Sequence, residues 1–183
     1  MVRVISASNG VRAALRILLV SSLMLQACQG QADQEAAGEA LQEGLEAHRS
    51  GDVETAEERY REVLDLQPRN KFALYNLGLI KQNRGDSAGA EADYRRALNV
   101  DPNFVPVLFN LAIVRTDAGA SEEAVELYRR VMELDPDNAA AHLNLGLLLR
   151  DMGRTRGATR ELEKAVELDP SLESRAGLSQ PGG

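Results

Sequence analysis

Residues 71–104 read KFALYNLGLIKQNRGDSAGAEADYRRALNVDPNF, and residues 105–138 read VPVLFNLAIVRTDAGASEEAVELYRRVMELDPDN. Laid one above the other they align without a gap, and the register extends to both sides. Pro68, Pro102, Pro136 and Pro170 fall at one spacing of 34, as do Gly51, Gly85, Gly119 and Gly153. Ala56, Ala90, Ala124 and Ala158 share it, and so do Tyr60, Tyr94 and Tyr128, with Leu162 in the fourth place. Gly44, Gly78 and Gly146 form a fifth column, with Ala112 standing in once. A fixed period of this length marks an array of stacked supersecondary units.

Each column has a physical reason. Between the breaks, apolar residues recur at three- and four-residue steps, as in Leu74, Leu77 and Ile80, which is the helical period. The column that starts at Gly51 predicts helix ends in the left-handed conformation that glycine adopts most cheaply. The proline column stops the following helix, because proline cannot continue the hydrogen-bond ladder. Asn70, Asn103, Asp137 and Asn138 lie where the next helices begin and are expected as caps. The Gly44 column is expected to let two helices approach closely, with the alanine column facing it.

This pattern resembles the tetratricopeptide repeat family. The resemblance implies an all-α, right-handed α-solenoid of four helix-turn-helix repeats: 37–70, 71–104, 105–138 and 139–172. The expected helix pairs are 38–50 and 54–66, 72–84 and 88–100, 106–118 and 122–134, and 140–152 and 156–168. In such arrays each unit buries its apolar face against its neighbours. Repeat 1 departs from the pattern at Gly38, Ala40 and Glu43. The tail after Pro170 has room for one or two helical turns, so Leu162, Val166 and Leu168 are expected to be incompletely covered. An exposed apolar end favours self-association, and a homodimer through this end is a further expectation.

The resemblance also implies where a ligand would lie. Family geometry lines the concave wall with positions 2, 5, 6, 9, 12 and 13 of each first helix. Position 6 reads Gln42, Asn76, Asn110 and Asn144. An asparagine amide offers two donors and an acceptor, so it can pair with both polar atoms of a peptide unit. A similar asparagine ladder lines the superhelix of O-linked N-acetylglucosamine transferase, where it holds extended peptide. The alternative is that these amides bond a neighbouring helix and serve the fold. Position 5 reads Leu41, Tyr75, Phe109 and Leu143, and Phe72 and Pro106 hold position 2. Together they suggest an apolar band beside the ladder. The candidate peptide-binding residues are thus Asn76, Asn110, Asn144, Phe72, Tyr75, Phe109 and Leu143. Position 9 (Leu45, Leu79, Ile113, Leu147) either joins the band or packs between repeats. The Lys and Asn carboxylate clamp of the chaperone-binding members is not apparent.

The N-terminus reads differently. Residues 1–27 contain Arg3, Arg12 and Arg16, no acid, and an apolar run from Ile17 to Leu25. The run is too short to span a bilayer, which needs about 20 apolar residues. A basic start, a short apolar core and a small residue before the cut describe a signal peptide. Leu25-Gln26-Ala27-Cys28 resembles the lipobox of bacterial lipoproteins. That implies a signal peptide over 1–27, a membrane anchor through lipidated Cys28, and a flexible tether over 28–36. Gln29 after the cysteine implies the outer membrane, facing the periplasm.

Composition excludes other classes. The 183 residues carry 28 acidic and 21 basic side chains, a net charge of −7, which argues against nucleic acid. One cysteine and two histidines exclude a disulfide scaffold and leave no plausible metal centre. His48 reads as solvated and His142 as a packing residue. The carboxylates Glu57-Glu58, Glu122-Glu123 and Glu161-Glu163 read as solvated outer faces. No nucleophile and base are paired and no phosphate loop is present, so neither an enzyme nor a cofactor is expected. The expected role is a lipid-anchored adaptor that holds a segment of a partner protein, as in envelope or pilus assembly or cell-wall enzyme recruitment. A tethered structural oligomer and a substrate-presenting subunit of a separate enzyme are the alternatives.

Overall fold

The computed structural model describes residues 29–178. The signal peptide expected over residues 1–27 and the expected lipidation site Cys28 lie outside the described residues. The described residues divide into two compact units, 29–68 and 69–178. Among the described residues all regular structure is helical, with no strand.

In the first unit, α1 covers residues 29–50 and α2 is Val53–Leu66. Residues 29–36, expected as a flexible tether, are helical. Asp52 caps α2 by accepting from the Thr55 N–H at 3.1 Å. Hydrogen bonds from Thr55 hold the Asp52 carboxyl below its ordinary range.

The second unit runs α3 (Lys71–Asn83), α4 (Ser87–Val100), α5 (Val105–Asp117), α6 (Ser121–Leu134), α7 (Ala139–Asp151) and α8 (Thr155–Leu168). A 3-10 turn, Pro170–Leu172, and α9 (Glu173–Ala176) close it. The helices from α2 to α8 all begin one residue before their expected starts. Capping explains the sharp boundaries. Asn70 accepts from the N–H groups of Phe72 and Ala73, and Asn138 from that of Ala141. Asp86 caps α4 through Gly89 N–H, which the proline and Asx reading missed. Asn103 is not a cap: Phe104 holds that place in α5, without a side-chain bond.

Gly51, Gly85, Gly119 and Gly153 all sit at positive φ, between +72° and +85°. The close-approach column works through a different partner from the one expected. A Cβ on Gly78 would lie 2.4 Å from Tyr94 Cε1, and one on Gly44 would lie 2.7 Å from Tyr60 Cε1. The tyrosine column, not the alanine column, fills the space glycine leaves, because the long side chain four residues after each alanine reaches across. At Gly146 the facing residue is Leu162, at 2.7 Å.

Pairs α3/α4, α5/α6 and α7/α8 pack as hairpins, and α4/α5 and α6/α7 join them. One apolar cluster, including Leu108, Val125, Tyr128, Val131, Ala141 and Leu145, runs through α5 to α8. Each fully buried side chain of this size contributes about 1.5–3 kcal/mol. The expected open end is covered at Leu162, whereas Val166 and Leu168 stay half-buried as expected. Leu143, Leu162, Ala165 and Ala176 form a second cluster with Leu147, Val166, Leu172 and Leu178 packed against it. Leu162 is only 3% exposed. Arg150 secures this cap by donating to the Ala176 carbonyl at 3.3 Å. Gly177, at φ +66°, ends α9.

Ion pairs stitch neighbouring repeats. Arg95 and Arg115 both bond Glu91 and Glu123, at 2.6–2.8 Å, closing a four-membered ring across α4, α5 and α6. Arg154 on the turn before α8 reaches Glu122 on α6 at 2.5 Å. Glu122, with its side chain 72% exposed, keeps the solvated outer placement expected of it, and both Glu122 and Glu123 pair across repeats with arginines.

Candidate functional site

Within the second unit the rows at positions 2, 5, 6 and 9 come from α3, α5 and α7. Their first turns are fixed by Asn70, Phe104 and Asn138, so the rows hold a common register. The rows touch. Phe72 and Phe104 meet edge to face at 5.7 Å, and Tyr75 lies 5.5 Å from Phe104. Phe72 is 47% exposed, the most accessible large apolar residue described. Tyr75, Phe109, Leu79, Ile113 and Leu147 are half-buried. Phe109 packs edge-on against Tyr128 at 6.0 Å, which leaves part of its ring outward.

Leu143, expected on the apolar band, is 1% exposed and unavailable to a ligand. The C-terminal cap covers it together with Leu162. Sequence reasoning missed this because the tail after Pro170 shows no helical period of its own.

The asparagines are anchored. Asn76 Nδ2 donates to the Phe72 carbonyl and Asn110 Nδ2 to the Pro106 carbonyl, both at 2.8 Å. Asn110 also makes a long contact, 3.5 Å, to the Tyr75 hydroxyl. Burial pushes the Tyr128 hydroxyl above its ordinary pKa, and the neighbouring Thr116 and Asn144 side chains oppose that shift. The Asn76 and Asn110 bonds serve the fold and at the same time fix each amide's orientation. Asn110 and Asn144 are both half-buried, whereas Asn76 is only 8% exposed. Burial pushes the Tyr75 hydroxyl above its ordinary pKa, and the Asn110 bond opposes that only in part. Tyr75 therefore stays protonated at neutral pH. Its oxygen accepts from Asn110, so its own hydrogen remains free to donate.

Charge is absent from these rows. The nearest cation, Lys71 Nζ, lies 5.1 Å from the Phe72 ring centre and 5.0 Å from that of Phe104. Its charge is met by Asp101 at 2.6 Å. That pairing holds the Asp101 carboxyl below its usual range, with the Asn103 N–H assisting.

The first unit presents a different surface. Gln42, the position-6 residue of repeat 1, is exposed. It helps line an open depression of about 620 Å³ with Glu35, Gly38, Glu39 and Glu43 on α1. His48, read as solvated, is half-buried edge-on against Tyr60 at 6.3 Å. Burial pushes the Tyr60 hydroxyl up to about 12.

His142 is 9% exposed, as a packing residue should be. Its Nδ1 faces Glu161 at 2.8 Å and its Nε2 the Pro136 carbonyl at 3.1 Å. Glu161, expected on an outer face, is 7% exposed because it bonds both His142 and Arg160. This arrangement joins α7, α8 and the turn after α6. It contains no nucleophile. Among the described residues no cluster could hold a metal, and no helix is long and apolar enough to cross a membrane.

Residues 44–169 match the family model described as "Cilia and flagella-associated protein 70 middle TPR-like domain". No curated protein matches the chain. Among solved structures it is similar to MamA from Desulfovibrio magneticus RS-1, at 22% identity and TM-score 0.71, over 78% of this chain and 82% of that one. It is similar to Pseudomonas aeruginosa pilF at 26% identity and TM-score 0.68, over 78% of this chain and 65% of that one. It also resembles an O-GlcNAc transferase mutant from Thermobaculum terrenum, with 33% identity and TM-score 0.59. That match covers 64% of this chain and only 22% of the transferase. These likenesses place the fold among the tetratricopeptide α-solenoids.

Proposed function

The chain belongs to the TPR-like domain family, whose fold is a platform for protein–protein contacts, and on that footing we propose a peptide-binding adaptor. The rows on α3, α5 and α7 hold an extended segment of a partner protein. Phe72, Tyr75 and Phe109 supply apolar contact, and Asn110, Asn144 and the Tyr75 hydroxyl pair with the partner's backbone. The observation that carries this reading is the Tyr75–Asn110 couple beside exposed Phe72: an aromatic surface with oriented, uncharged hydrogen-bonding groups. Asn76 contributes chiefly by fixing the first turns of α3.

The adaptor is anchored by lipid on Cys28 to a bacterial envelope membrane, the outer one, and faces the periplasm. The support is the sequence Leu25-Gln26-Ala27-Cys28 behind a basic, apolar leader. Confinement to a surface raises the effective concentration of adaptor and partner without any new contact. Envelope assembly, pilus assembly and recruitment of cell-wall enzymes are processes that use such a tether.

The test is capture from detergent-solubilised envelopes with the tagged full chain and an Asn76→Ala, Asn110→Ala, Asn144→Ala variant of equal helicity. A partner held by the first and lost by the second supports the groove. A partner held equally by both places binding elsewhere and refutes the reading.

A further inference from the structure

The rows that would hold a segment are unusual for this chain. More than a quarter of its residues are charged (27%), yet positions 2, 5, 6 and 9 of α3, α5 and α7 include no charged residue; the charges of this wall, Asp117, Arg150 and Asp151, stand only at positions 12 and 13, in the last turns of α5 and α7. The one cation beside them, Lys71, is already neutralised by Asp101 and packed over two phenyl rings. Arg150, at position 12 in the last turn of α7, donates to the Ala176 carbonyl at 3.3 Å and keeps its charge at the far end of that helix. A charged side chain laid against the half-buried rings of Tyr75 or Phe109 would lose hydration and find no charged residue in these rows to offset the loss. An uncharged side chain pays no such penalty.

We infer that the occupant is an uncharged, apolar-rich extended segment of a partner protein, seated by an apolar ring against Phe72. The inference rests on the groove reading above and narrows it to a ligand class. Neutral rows select a neutral ligand, as charged rows select an opposite charge. The ring seat follows from geometry. Phe72, Phe104 and Tyr75 already form a chain of ring contacts at 5.5–5.7 Å that ends on the exposed part of Phe72. A further aromatic or proline ring extends that chain with the same edge and face preferences. Affinity of this kind carries little ionic contribution, so salt does not screen it.

The two units make the alternatives distinguishable. Residues 29–68 carry eleven acidic side chains against three basic ones, so a basic ligand would be drawn to α1 and its depression instead. The experiment is selection from a random dodecapeptide phage library on the full chain in detergent. Clones retained by the triple asparagine variant are discarded. The remaining pool is expected to be depleted of Asp, Glu, Lys and Arg and enriched in proline and aromatic residues. Synthetic peptides from it should bind within about twofold at 50 and 500 mM salt. Phe72→Ala should weaken them about tenfold, as loss of an interface anchor does.

A pool rich in acidic or basic residues, or affinity that falls steeply with salt, overturns the ligand class while leaving the groove in place. A pool that binds the triple variant equally, or no pool at all, overturns the groove reading itself. Self-association of the full chain that Phe72→Ala abolishes would seat a second copy in the groove and overturn the partner segment.

Discussion

Gly78→Ala tests the packing that holds the rows in register. Alanine is the better helix former by about 1 kcal/mol, so on propensity alone the change stabilises α3. The structure predicts the opposite sign. The new Cβ would lie 2.4 Å from Tyr94 Cε1 and 2.7 Å from Cδ1, where carbon atoms rest at about 3.5–4.0 Å. The ring must therefore retreat by more than about 1 Å. Tyr94 is fully buried and its hydroxyl donates to Gln82 at 2.7 Å, so the ring has little freedom to move. Overpacking of this kind costs about 1–3 kcal/mol. Losing the Tyr94–Gln82 bond adds about 1 kcal/mol. Set against the propensity gain, the net loss is about 1–3 kcal/mol. Repeat 3 supplies an internal control, because there the chain itself places Ala112 opposite Tyr128, both buried. Ala112→Gly should also destabilise, by about 1–2 kcal/mol, through lost helix propensity and the loss of a buried methyl. Urea unfolding followed by circular dichroism reads both. A Gly78→Ala chain as stable as the parent, or more so, would refute the close-approach reasoning.

Three more predictions follow from single features. Gly85→Ala meets no atom within 4 Å but sits at φ +80°, so it should cost about 1–2 kcal/mol of backbone strain and nothing in packing. Truncation after Asp169 uncovers Leu143 and Leu162, and should cost about 3 kcal/mol in urea unfolding and induce self-association in sedimentation. Glu91 has its pKa lowered, first by the Arg95 hydrogen bond and further by Arg115. Its contribution is present at neutral pH and is lost as acid protonates it. Glu91→Gln should therefore cost about 0.5–1 kcal/mol near neutrality and flatten the acid side of the stability profile. An unchanged acid limb would show that the four-membered ion ring contributes nothing.

The helices, their glycine ends and their proline stops were legible because each is decided by local chemistry repeated every 34 residues. Features that depend on what meets what were not. The residue facing Gly78 was read as alanine from spacing, but the ring of Tyr94 reaches it. Residues 29–36 lack an apolar stripe and read as a tether, yet Gln, Ala and Glu are good helix formers and α1 runs through them. Leu143 was assigned to the groove by its position in the repeat. The cap formed by residues 170–178 buries it, and nothing in that tail announces that it folds back. Glu161 looked like a surface charge because its partners, His142 and Arg160, are visible only once α7 and α8 are packed. Of the candidate site, the aromatic positions were readable from the period. The double use of the asparagines, bonding their own helices while facing the row, needed coordinates.

The most direct test of the groove is photocrosslinking in intact envelopes. A benzophenone amino acid is placed singly at Phe72, Leu79 or Ile113 on the rows, and at the exposed Arg129 or Glu163 on the second helices of their repeats. Adducts to one partner protein from the row positions, absent from Arg129 and Glu163 and mapping to an uncharged stretch of that partner, are the predicted result. Adducts from Arg129 or Glu163 with none from the rows would contradict it.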